Sequence, residues 1–157
     1  MAEARLGIVR KSVIIYTKTT MERDAKWLKA RLELIWKRYF PDIGITNNIF
    51  VKFGRPAKTR LGSIKYGRKK ENPNTIITIN GFFRDPEIPD FVLDGVLAHE
   101  LTHYAHGFFN PNGQRIRYPH KGGVVRREMT GRGLKDLLQL EKKWIKDNWV
   151  NFLKSNA

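Results

Sequence analysis

The sequence predicts an α+β fold: an N-terminal helix, a small three-stranded sheet, a central helix bearing His99-Glu100-Leu101-Thr102-His103, and closing C-terminal helices. Three observations carry this expectation. Apolar residues recur at helical spacing before residue 40 and again after residue 89. Three short runs rich in β-branched residues lie between those segments. No repeat or low-complexity linker divides the chain. At 157 residues and 41% hydrophobic content, one domain can bury its own core. Residues 1–157 are therefore read as a single domain, with 1–20 as an N-terminal extension and 131–157 as a C-terminal helix.

Taking the elements in order, Ser12–Thr17 (SVIIYT) is β-branched and aromatic and reads as a short strand. Thr19 and Glu22 make a capping-box pattern, which opens a helix over about 21–39. Leu28, Leu32, Ile35 and Tyr39 form its apolar stripe, Trp27 and Trp36 pack alongside, and Pro41 ends it. Strands are expected at Asn48–Phe53, Leu61–Tyr66 and Thr75–Asn80, the last two joined by the basic turn 67–74. Asp85, Pro89 and Asp90 are start signals for a helix over about 89–108, which Gly107 can terminate. Val92, Val96, His99 and His103 share one stripe of that helix; Leu93, Leu97, Leu101 and Tyr104 form its neighbour. A Gly, Pro and Asn-rich loop over 109–119 leads to His120. A short helix over 122–129 and a longer one from about Leu134 to Leu153 complete the chain. The longer one has Leu137, Leu138, Trp144, Ile145, Trp149 and Phe152 on its apolar side.

The central helix carries the chemistry. Residues four apart on a helix return to nearly the same face, so His99 and His103 can offer two imidazole nitrogens to one ion. Glu100 stands beside that face, placed to take a proton from a water activated by the ion. This H-E-x-x-H spacing is that of zinc peptidases. A catalytic zinc takes three protein ligands and leaves one position open, so a third must come from elsewhere. The chain contains no cysteine, which leaves His, Asp and Glu as the donors. All four histidines fall within residues 99–120. His106 lies one turn beyond His103 and reaches the same ion only if the helix bends. The metzincin extension needs Gly where His106 stands and His where Phe109 stands, so it does not apply. His120, at the end of a flexible loop, is the favoured third ligand, with Glu128 the alternative in a gluzincin-like arrangement. Tyr104 and Tyr118 are the aromatic hydroxyls near enough in sequence to assist an oxyanion, though packing is their commoner role.

VLAHELTHYAHG followed by YPHKGGVVRREM, with LGSIKYGRKKENPNTIITIN upstream, resembles the SprT-like (Spartan-related) zinc metalloproteases. The similarity covers about residues 21–130. It implies a zincin-like domain with Zn²⁺ held by His99, His103 and His120, Glu100 as general base, and proteolysis of proteins bound or crosslinked to DNA. Two departures stand out. Lys121-Gly122-Gly123 replaces the Gly and acidic residue that commonly follow the third His, and the family's frequent cysteine-rich zinc ribbon is absent.

Charge supports a polyanionic partner. The chain holds 30 Lys and Arg against 15 Asp and Glu, a net +15. Residues 1–86 hold 19 basic and 7 acidic residues, against 11 and 8 in 87–157. Arg55, Lys58, Arg60, Lys65, Arg68, Lys69 and Lys70 cluster around the strand region and predict a sequence-independent, salt-sensitive DNA surface. Strand 75–80 is expected to bind an extended protein or peptide substrate along its edge. Nothing resembles a signal peptide or a membrane span, so a cytoplasmic protein is expected, nucleoid-associated if it binds DNA. Two other readings remain open: a nucleic-acid-binding protein with a non-catalytic metal site, and a small peptidase that is basic only for solubility.

Overall fold

The computed structural model describes residues 23–157. The expected strand at 12–17 and the Thr19–Glu22 capping box lie outside them. The architecture is α+β, with four α-helices and a three-stranded sheet among the described residues. In chain order these are α1 (Ala25–Tyr39), β1 (Ile49–Phe53), β2 (Gly62–Tyr66), β3 (Thr75–Ile79), α2 (Asp90–Ala105), α3 (Val124–Gly131) and α4 (Lys135–Ser155).

Helix α1 begins at Ala25 rather than at about 21, because Asp24 caps it: its carboxylate accepts the Trp27 amide at 2.7 Å. The helix buries Leu28, Leu32 and Ile35 against the core. Two arginines tie it to α2. Arg31 makes a two-pronged ion pair with Asp94. Arg23 is almost fully buried, donates to the carbonyls of Phe83, Asp85 and Ile88, and pairs with Asp90.

The sheet order is β1-β3-β2, with β1 parallel to β3 and β2 antiparallel to it. Strand β3 is therefore the centre of the sheet, which corrects the expectation that 75–80 offers a free edge. Thr75, Ile77 and Ile79 are buried, and both sides of the strand are already hydrogen-bonded. Among the described residues, the open edge beside the histidines is β2. Leu61 O accepts from Asn80 N, and Gly67 N donates to Asn74 O, at the two ends of the β2–β3 ladder. Bonded and non-bonded pairs alternate along an antiparallel ladder. The N–H and C=O groups of Gly62, Ile64 and Tyr66 therefore face the unpaired side.

Helix α2 runs through the middle of the molecule, packed by α1, α3, α4 and the sheet. Twelve of its 16 residues are buried, so the two-stripe pattern expected of a surface helix gives way to burial nearly all round. Each fully buried Val or Leu on it contributes about 1.5–3 kcal/mol of transfer free energy. The core continues into α3 and α4 through Val125, Met129, Leu134, Trp149 and Phe152. Among the described residues, no helix is long and apolar enough to cross a membrane.

Candidate metal centre

His99 and His103 project from one turn of α2 with their Nε2 atoms 3.1 Å apart. Two nitrogens at about 2.0–2.1 Å from a tetrahedral ion stand about 3.3 Å apart, so this pair already has the spacing of two ligands. His120 completes the group. Ligand atoms of His99, His103 and His120 all lie within 4.8 Å of one another, an arrangement that can hold a metal ion. The His120 ring stacks near that of His99, with centroids 5.8 Å apart, and meets the His103 ring edge-on at 4.8 Å.

Local chain geometry delivers His120 to this position. Gly107, at φ +91°, ends the helical run, and a Cβ there would collide with the carbonyl of Gly113. The loop is then pinned at several points: Arg115 N donates to His106 O, Asn110 Nδ2 to Tyr104 O, and the Thr75 hydroxyl to Phe109 O. After His120, Gly122 and Gly123 both adopt left-handed φ near +70° and turn the chain into α3. The Gly-Gly pair after Lys121 thus has a conformational reason.

Electrostatics suit a cation. Burial, reinforced by His120, lowers His99 to a pKa of about 4. Burial, with the neighbouring imidazoles, lowers His103 to about 3. Both are neutral at pH 7, the form in which imidazole binds metal. Nδ1 of His103 finds no hydrogen-bond partner, so its ring is oriented by packing, with Phe108 edge-on at 6.0 Å.

Glu100 is 5% exposed, and burial pushes its carboxyl up to about 7, with Arg60 pulling the other way. It lies against β2: a Cβ built on Gly62 would stand 3.0 Å from Glu100 Oε1 and 2.7 Å from Val96 Cγ1. Gly62 is therefore what lets the strand edge approach the carboxylate. A cavity of about 810 Å³ holds all three histidines and Glu100, and runs past Gly62–Lys65 to Lys52, Arg55 and Thr78. Behind it, a smaller cavity of about 280 Å³ is shared by Glu100, Arg60 and Glu141 of α4.

The remaining sequence candidates lie elsewhere. His106 caps α2 and points its Nε2 towards Glu128, 3.9 Å away. Glu128 is also held by Arg132 at 3.4 Å, so this alternative ligand is engaged outside the histidine cluster. Tyr104 is fully buried and donates its hydroxyl to Asn47, which removes it from any oxyanion role. Tyr118 is half exposed, with Arg117 and Lys121 against its ring. Of the basic residues, Arg55, Arg60 and Lys65 line the metal cavity, whereas Arg68, Lys69 and Lys70 sit on the exposed turn between β2 and β3. Lys58 lends its carbonyl to the Trp149 indole.

Sequence reasoning missed Gly62, Asn80 and Glu141. Asn80 is buried and clamps the loop that carries Arg55 and Arg60, donating to the carbonyls of Ala57 and Arg60 and accepting from Ala57 N and Phe82 N. An Asn closing a strand is a weak signal. A Gly opening one, as Gly62 does, is a better hint of close approach. No family model matches this sequence, and no curated protein and no solved structure matches it either.

Proposed function

We propose that this chain is a zinc-dependent metalloendopeptidase of SprT-like type, acting on proteins bound or crosslinked to DNA. The observation that carries this reading is the convergence of His99, His103 and His120 beside a buried Glu100, in a cavity bounded by a strand edge that is unpaired among the described residues. Zinc suits three imidazole donors with a position left open, and when bound it supplies Lewis acidity and an acidified water. Glu100, buried beside the histidines and against β2, takes the proton of the attacking water and passes it to the leaving amine. The outward N–H and C=O groups of Gly62, Ile64 and Tyr66 align an extended substrate by main-chain hydrogen bonds. A purely structural metal site has no use for a general base beside its ligands, so the non-catalytic reading is the weaker one. The DNA component rests on the charge of +15 and on the exposed Arg68-Lys69-Lys70 turn.

The test is Glu100→Gln, which keeps the shape of the side chain and removes its basicity. Zinc content should be unchanged, and hydrolysis of an unfolded protein should fall about 10²- to 10⁴-fold. Undiminished cleavage would remove Glu100 from the mechanism.

A further inference from the structure

We propose that the metal cleft selects acidic polypeptide segments, and that Lys52, Arg55, Arg60 and Lys65 are its specificity-determining residues. This deepens the peptidase reading of the same site and rests on it. Among the described residues, four cationic side chains line the cavity that contains the three histidines, and Glu100 is the one acidic residue of its lining. None of the four takes part in an ion pair among the described residues, so their charge is available to an incoming chain.

These cations are also held in place. Gly54 N donates to Ile79 O, Asn80 clamps Ala57 and Arg60, and the Trp149 indole donates to Lys58 O at 2.8 Å. The loop between β1 and β2 therefore presents Arg55 and Arg60 from a fixed backbone. Lys65 and Lys52 lie on the strands themselves. Sheet register sets Ser63 opposite Thr78 and Thr78 opposite Lys52, which places Lys52 and Lys65 on one face of the sheet.

A segment paired along β2 presents every second side chain to that face. Acidic residues there become cross-strand neighbours of Lys65, while Lys52, two strands further into the sheet, adds only longer-range attraction. At the other end of β2, Arg60 stands beside Glu100 and meets acidic residues near the scissile bond. Each exposed pair is worth about 0.2–1 kcal/mol. Two or three acting together give about three- to tenfold selectivity at low salt. A polynucleotide would meet the same charges, but it has no regular donors for the outward carbonyls of the strand edge. The observations therefore favour a polypeptide.

The experiment uses zinc-loaded Glu100→Gln protein and two fluorescent ten-residue peptides that differ only in carrying Asp and Glu or Lys at the positions flanking a central apolar pair. Fluorescence anisotropy should show the acidic peptide binding about three- to tenfold tighter in 20 mM salt. That preference should disappear in the added double variant Lys52→Glu with Lys65→Glu, and be reduced in the Lys52→Gln, Lys65→Gln pair. Hydrolysis of both peptides by the unsubstituted protein is read in parallel. Cleavage without charge preference overturns this inference and leaves the peptidase reading standing. A binding preference with no cleavage of either peptide does the reverse. A single-stranded oligonucleotide of equal charge that outcompetes the acidic peptide would make the cleft a nucleic-acid site and overturn the proposal.

Discussion

Replacing Gly62 by alanine adds one methyl group between the substrate-facing strand and the proposed base. An ideal Cβ there would lie 2.7 Å from Val96 Cγ1 and 3.0 Å from Glu100 Oε1, where carbon pairs prefer about 3.5–4.0 Å. Val96 is buried and β-branched, so its χ1 cannot swing away. Relief must come from β2 moving off α2 by up to about 1 Å, or from Glu100 leaving its position. Overpacking of this kind costs about 1–3 kcal/mol, which for a domain of this size lowers Tm by about 2–12 °C. A 1 Å misplacement of a catalytic arrangement costs about 10²-fold in rate. Gly62→Ala should therefore keep its zinc, melt several degrees earlier, and lose about two orders of magnitude in kcat/KM on a peptide substrate. Gly67→Ala is the control, since its added Cβ meets nothing closer than 3.4 Å. Calorimetry, zinc content and peptide kinetics on both variants decide the matter. Wild-type Tm and kinetics in Gly62→Ala would refute the claim that this glycine sets the approach of β2 to Glu100. A lowered Tm with intact kinetics would show that Glu100 is not positioned by the strand.

Glu141 gives a stability prediction. Burial raises its carboxyl to about 7 from an ordinary 4.5, and it packs onto Gly95 of α2. Its contribution is therefore fully present below pH 4.5 and is lost as pH rises through 7, when the folded state must hold a buried carboxylate. Glu141→Gln should raise stability at pH 8.5 by about 2–3 kcal/mol and change it little at pH 4.5, read from denaturant melts at both values. Equal effects at the two pH values would contradict the assigned burial. For DNA, charge reversal at Arg68, Lys69 and Lys70 should weaken duplex binding and reduce the magnitude of its log–log salt slope by about 2–3, leaving zinc content unchanged. A salt titration that the reversals do not alter would assign the charge of that turn to solubility.

Much of this layout was legible because the helices follow strong periodicity and the strands are short β-branched runs. The His99–His103 pair needed only the helical repeat, and His120 was favoured over Glu128 and His106 by its place at the end of a flexible loop and by the family resemblance. Strand order was harder, since the pairing of β1 with β3 across the chain is set by long-range packing. A signal was nonetheless present: β3 (TIITI) carries no charge, whereas β1 (IFVKF) and β2 (GSIKY) each carry a lysine, as edge strands do. Helix α1 starts at Ala25 because Asp24 is a closer cap than the Thr19–Glu22 pattern, which lies outside the described residues. Gly62, Asn80 and Glu141 were invisible for a common reason. Each matters through a contact with a residue at least 20 positions away, and nothing local announces it.

The central claim is that His120 closes the site opened by His99 and His103. Zinc stoichiometry by elemental analysis, measured on the purified chain and on His120→Ala, His106→Ala and Glu128→Ala after equilibration with equimolar metal, tests it directly. The account predicts one zinc per chain in the wild type, severe loss in His120→Ala, and near-full occupancy in the other two. Zinc retained by His120→Ala but stripped by Glu128→Ala would contradict it and return the third position to the carboxylate.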